Sequence, residues 1–121
     1  MDEKQPSGDI KIDVQKVSEE LRIRPEVYLR ILMSFASSLQ NKISMLYQAM
    51  TAQDYETMRK ILHEIKGTAG NLRLRNISSA EEVLHYALKA QDDQEKLEKF
   101  AESLKLESEK LYQYVQQISK S

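Results

Sequence analysis

The sequence predicts an all-α fold, an antiparallel up-and-down four-helix bundle with an extra short N-terminal helix covering one end. Three features carry that expectation. The helix-favouring residues Leu, Glu, Lys, Gln, Ala, Met and Arg dominate the 121 positions. Apolar residues recur at spacings of three and four in four long stretches joined by short polar breaks. Long alternating runs of Val, Thr and aromatics, the mark of strands, are absent. A hydrophobic fraction of 40% supplies one core, and the length suits one domain.

The opening stretch MDEKQPSGD is polar, with Pro6 and Gly8, and reads as a disordered lead-in over residues 1–9. The helical domain is expected over residues 10–121. Asp13 is placed to cap a short helix with Val14, Val17 and Leu21 on one face. Eight or so residues do not hold a helix alone, so this one should pack as a lid on something larger.

Pro25 suits the first turn of a long second helix. Its apolar stripe is Tyr28, Leu32, Phe35, Leu39, Ile43, Leu46 and Met50. Asp54 should cap the third helix, whose inner face is Met58, Ile61, Leu62, Ile65, Ala69 and Leu72. The fourth should begin near Asn76 or Ser78, either of which could cap it, and bury Ile77, Ala80, Leu84, Ala87 and Leu88. The polar QDDQ at 91–94 breaks the pattern. A fifth helix then runs to about Ser119 along Leu97, Ala101, Leu104, Ser108, Leu111, Val115 and Ile118. Ser108, the polar residue in that seam, should lie at a loose point or bond back to the preceding turn.

Charge and composition remove several function classes. With 18 basic and 19 acidic residues the net charge is −1, unlike the visibly basic surface of a general nucleic-acid binder. No apolar run approaches the roughly 20 residues that span a bilayer, so direct membrane insertion is not expected. The polar, acidic start does not resemble a secretory signal, and a cytoplasmic location is the default expectation. Cysteine is absent, which excludes disulfides and thiolate metal sites.

The stretch HEIKGTAGNL, residues 63–72, is unusual for a helix. It holds Gly67 and Gly70, which together cost a helix about 2 kcal/mol relative to alanine. At 3.6 residues per turn, His63 lies roughly 150° from the apolar direction of its helix, on the outer face. Gly67 and Gly70 follow one and two turns along the same side. Arg59 precedes by one turn, and Lys66 follows by three residues. The glycines therefore clear the surface around an exposed histidine rather than bring core helices together. His85 serves as a comparison. It too projects from its helix's apolar stripe, but among Glu81, Glu82 and Lys89, which read as ordinary surface charges, and with no glycine nearby.

Other chemistries fail on their residues. Glu82-x-x-His85 has the spacing of a di-iron ligand pair, but His63 has Lys60 where a second pair would need a carboxylate, and both histidines point outward. HEIKG begins like a zinc-protease motif, yet Gly67 stands where the second histidine belongs. No phosphate-binding glycine loop and no nucleotide-binding strand-turn-helix is present, and no hydrolase triad can be assembled. What remains is a histidine acting as nucleophile in its own right. Neutral imidazole, available near neutral pH, attacks a phosphoryl group through a nitrogen lone pair. Without an ATP site, another protein must supply that group.

On these residues the chain resembles the histidine-containing phosphotransfer (HPt) domains of multistep two-component phosphorelays. Their signature, His-x-x-Lys-Gly followed by a small residue and further glycine, is matched by His63-Glu64-Ile65-Lys66-Gly67-Thr68-Ala69-Gly70-Asn71-Leu72. LRIRPEVYLRILMSF and SAEEVLHYALKA look like the family's first and third long helices. The resemblance implies that His63 carries the phosphoryl group on Nε2, that Lys66 neutralises its oxygens, and that Gly67 leaves room for a partner. It implies partner contacts around Arg59, Gly70, Asn71 and Arg73. The partners would be receiver domains, including those of hybrid sensor kinases. The domain would need no cofactor of its own, and Mg²⁺ would sit in the receiver. The chain would be a phosphoryl carrier rather than an autonomous kinase. Many members have a further glycine and a small residue after the position of Leu72, where this chain has Arg73 and Leu74. The other reading of the residues is a non-catalytic helical module that binds a receiver or a partner helix. The presence of a phosphorylatable residue at 63 favours the carrier.

Overall fold

The computed structural model describes residues 10–119. The lead-in expected over residues 1–9 lies outside them. The described chain forms α1 (Val14–Leu21), α2 (Pro25–Thr51), α3 (Tyr55–Asn71), α4 (Arg75–Lys89) and α5 (Gln94–Ser119), with no strand among the described residues. The long helices α2 to α5 close a ring in which each packs on its sequence neighbour and α5 returns to α2, while α1 packs on α2. This is the expected four-helix bundle with its extra helix. No described helix is long and apolar enough to cross a membrane.

The predicted stripes form the core. Tyr28, Leu32, Leu39, Leu46, Met58, Leu62, Ile65, Ile77, Leu84, Leu97, Leu104 and Leu111 are the largest fully buried side chains. Ala80 and Ile118, expected inside, are only half-buried. Ser108 is buried, and its hydroxyl makes no hydrogen bond, so of the two expectations for it the bond back to the preceding turn is not made.

Helix starts are set by side chains where the loop allows it. Asp13 accepts from the Lys16 N–H, Asp54 from the Thr57 N–H, and Asp93 from the Lys96 N–H. The fourth helix departs from expectation. It begins at Arg75 after Leu74, with no side-chain cap, and Asn76 and Ser78 lie inside it. The reason is the turn before it. Arg73 N–H bonds to the Gly70 carbonyl and Leu74 N–H to that of Ala69, the paired bonds of a Schellman ending. Leu74 closes that ending and is buried. The three-residue turn leaves no place for a capping side chain, and burial of Leu74 decides the start instead.

One buried polar bond ties the two ends of this region together. Tyr28, in the first turn of α2, is completely buried and donates its hydroxyl to the Leu72 carbonyl at 2.7 Å. Burial pushes its phenol up to about 12, so the hydroxyl stays a donor. Replacing Tyr28 by Phe would leave that carbonyl buried without its partner, which costs about 1–3 kcal/mol. Tyr28→Phe should therefore lower the urea midpoint while helix content at low urea is unchanged. An unaltered midpoint would show that the Leu72 carbonyl does not depend on this bond.

Candidate functional site

α3 is fixed at both ends. At its start, Asp54 accepts from the Thr57 N–H and, at 2.6 Å, from the Thr57 hydroxyl. The bonds from the Thr57 side chain and backbone hold the Asp54 carboxyl below its ordinary value. At its end, Leu72 is gripped by Tyr28. Between them Met58, Ile61, Leu62, Ile65 and Ala69 are buried. The 3.6-residue period then leaves His63, Lys66, Gly67 and Gly70 outside, and all four are exposed.

The two glycines are not explained by the fold. Neither has a positive φ. A Cβ built on Gly67 or on Gly70 meets nothing within 4 Å. Alanine would fit both places, and it would be the better helix former. The bare strip alongside His63 thus answers no requirement inside this chain.

Charge around His63 is uneven. Glu64 is bound by Lys42 of α2 at 2.8 Å, and that bond holds its carboxyl below the ordinary range. With Glu64 matched, Arg59, Lys60 and Lys66 dominate the exposed charge on this side of α3. Lys66 lines a shallow depression shared with Glu81, Glu82, His85 and Tyr86 of α4. Arg59 is exposed and lines a second depression, which also includes His85.

The remaining residues expected at a partner surface are less alike. Gly70 and Asn71 are exposed at the far end of the helix. Arg73 lies in the turn beyond Asn71, which is itself about 12 Å along the axis from His63 at 1.5 Å per residue. Its backbone is left-handed, with φ 64°. Its guanidinium folds back on the carbonyls of Gly70 at 3.4 Å and Asn71 at 3.2 Å, and pairs with Glu20 of α1 at 3.4 Å. A glycine at this position would serve the left-handed turn. Arg73 takes the same conformation and uses its side chain to satisfy the helix end.

α4 holds the feature that the sequence reading misplaced. Glu81 is not a surface charge: its side chain is fully buried. Its Oε2 lies 3.2 Å from His85 Nδ1, and its Oε1 has no hydrogen-bond partner. Burial pushes the Glu81 carboxyl above its ordinary value, and the His85 bond and the charges of His85 and Lys66 pull it part of the way back. The signal was present in the sequence. Ile77, Glu81, Leu84 and Leu88 fall on one continuous stripe, and position 81 is within it. Among the described residues no three His, Asp or Glu side chains converge as a metal site would require.

No curated protein and no solved structure matches the sequence. The family model of the Hpt domain matches residues 30–119, which takes in most of α2 and all of α3, α4 and α5. A matched region that covers most of the chain, around an exposed histidine on the second long helix of a four-helix bundle, places this protein in the Hpt domain family of phosphorelay histidine phosphotransfer modules.

Proposed function

We propose that His63 accepts a phosphoryl group from the phospho-aspartate of one receiver domain and passes it to the aspartate of another. The observation that carries this reading is the bare surface beside an exposed histidine. Gly67 and Gly70 are required neither by backbone conformation nor by packing within the chain. A helix gives up stability there, and the approach of another protein's active site accounts for it.

In the forward step, neutral His63 with its proton on Nδ1 attacks phosphorus through the Nε2 lone pair. The N–P bond forms as the P–O bond to the aspartate breaks, and the aspartate carboxylate leaves with the electron pair. In the return step a receiver carboxylate attacks the same phosphorus and the imidazole leaves with the N–P pair. Both directions use one geometry, so the transfer is reversible. Positioning and charge neutralisation dominate such transfers. Lys66, three residues after His63 and on the neighbouring part of the surface, offers its ammonium to the phosphoryl oxygens. The receiver contributes Mg²⁺, and this chain's own part is to present the nucleophile, one cation and an unobstructed surface. Arg59, Gly70 and Asn71 extend that surface along α3. Arg73 borders it while holding the helix end.

His63→Gln should abolish phosphate acceptance from a phosphorylated receiver and leave the melting curve unchanged, because the side chain is exposed and packs on nothing in the core. Label that is acid-labile and base-stable should appear on the wild-type protein alone. Retained labelling of the variant would remove His63 from the site, and an unlabelled wild type would favour the interaction module.

Gly67→Ala should move the two properties in opposite directions. Stability should rise by up to ~1 kcal/mol, as expected for an unhindered helical glycine, while transfer slows, and a bulkier residue should slow it further. Thermal melts and transfer rates on the same variants test this. Loss of stability would mean that the fold needs the glycine.

Lys66 should act through charge. A solvated pair with the phosphoryl group is worth only about 0.5–1 kcal/mol, but a docked partner excludes water and raises its value. Lys66→Ala should slow transfer about tenfold, or ~1.4 kcal/mol of barrier, without eliminating it. In stopped-flow measurements Lys66→Arg should retain more activity than Lys66→Met. Equal rates for those two would exclude an electrostatic role.

A further inference from the structure

Phosphotransfer through His63 leaves one charged group without a role. Glu81 is fully buried between the core and α3, one helical turn before His85. One carboxylate oxygen meets His85 and the other meets nothing. A half-partnered carboxylate away from water is unfavourable, and it attracts any cation within reach. Lys66 lines the depression above it and has a long, flexible stem. Its charge acts on the Glu81 carboxyl.

Lys66 therefore stands between two anions once His63 is phosphorylated. The buried carboxylate lies on the α4 side, and the phosphoryl group lies one turn back on α3. We propose that Glu81 is a positioning residue for Lys66: its buried carboxylate competes with the phosphoryl group on His63 for the Lys66 ammonium, and protonation of His85 relieves the competition by giving Glu81 a cation of its own. The inference rests on His63 as the phosphoryl acceptor.

The titratable and charged groups around the Glu81–His85 pair are Tyr55, Arg59 and Lys66 of α3, Glu82, Tyr86 and Lys89 of α4, and Asp92 in the turn that follows. Burial pushes the Glu81 carboxyl up, and a proton gained at either member of the Glu81–His85 pair weakens its hold on Lys66. Low pH frees Lys66 for the phosphoryl group, and high pH ties it to Glu81.

A small-molecule donor tests this without a receiver. Phosphoramidate transfers its phosphoryl group to the His63 nitrogen: its P–N bond breaks, the new N–P bond forms, and ammonia leaves. Rates should be compared for wild type and Glu81→Gln at about pH 6 and about pH 8, on either side of the histidine range. At the higher pH the variant should be faster by about threefold, the size expected of a solvent-screened ion pair. At the lower pH the two should agree. In a Lys66→Ala background the Glu81→Gln effect should vanish. An effect that persists without Lys66, or no effect at the higher pH, would overturn the proposal. A second measurement stands if Glu81→Gln fails to fold. The Lys66 Cε signal of the unphosphorylated wild type should carry a pH-dependent shift that is lost in His85→Gln. A Lys66 signal indifferent to His85 would overturn the proposal. Failure of the acceptor assignment would look different, as wild-type protein that takes no label on His63 at all.

Discussion

The hydroxyl of Tyr28 on the carbonyl of Leu72 fixes the place where α3 stops, and the surface around His63 depends on that. A helix end leaves carbonyls without intrahelical partners, and burying one without a donor is unfavourable. Here the donor comes from the first turn of α2, the helix packed beside α3. Tyr28 thereby sets how α3 meets α2. The Asp54 cap closes the other end of the helix. Its five buried residues face the core, and the azimuth of His63 follows from helix geometry alone.

Glycine is distributed in this chain against local stability. Among the described residues the four non-glycine residues with positive φ, Arg22, Gln53, Arg73 and Gln91, each close the helix before them with paired backbone bonds. These are the positions where glycine would relieve strain. Gly67 and Gly70 instead occupy ordinary helical conformations in open space. Both choices are unfavourable for folding, and a large continuous core carries them. Arg73 shows how one turn compensates. Its guanidinium satisfies the α3 carbonyls and reaches Glu20 of α1, so the extra helix is fastened to the end of the functional one. The helices are secured by packing, and neither glycine takes part in it.

Electrostatics divides the same helix into two flanks. Toward α2, Lys42 matches Glu64. Toward α4, Lys66 lies over a buried carboxylate that His85 only half satisfies. A core position occupied by Glu rather than an aliphatic residue is destabilising unless its charge is matched. Placing it beneath the cation next to His63 turns that disadvantage into control over where the cation sits.

Much of this was legible in the amino-acid order. Spacings of three and four gave the long helices and most of the core, because an amphipathic stripe has one way to be buried. The position of His63 on the outer face followed from counting residues around α3, and the match of residues 63–72 to the Hpt signature pointed to the family that the comparison with known families supports. Tertiary structure decided what local pattern does not encode. The start of α4 was set by burial of Leu74 in a three-residue turn rather than by the capping preference of Asn76 or Ser78. The Arg73 guanidinium reaches the Gly70 and Asn71 carbonyls at the end of α3 only because the turn has formed. Glu81 was read as a surface charge because of its residue type. Its place on the Ile77–Leu84–Leu88 stripe put it inside, and only the packing of α3 against α4 brought Lys66 to the same depression. Periodicity determines which face of a helix is buried, whereas the partner of each buried or exposed group depends on the neighbouring helix.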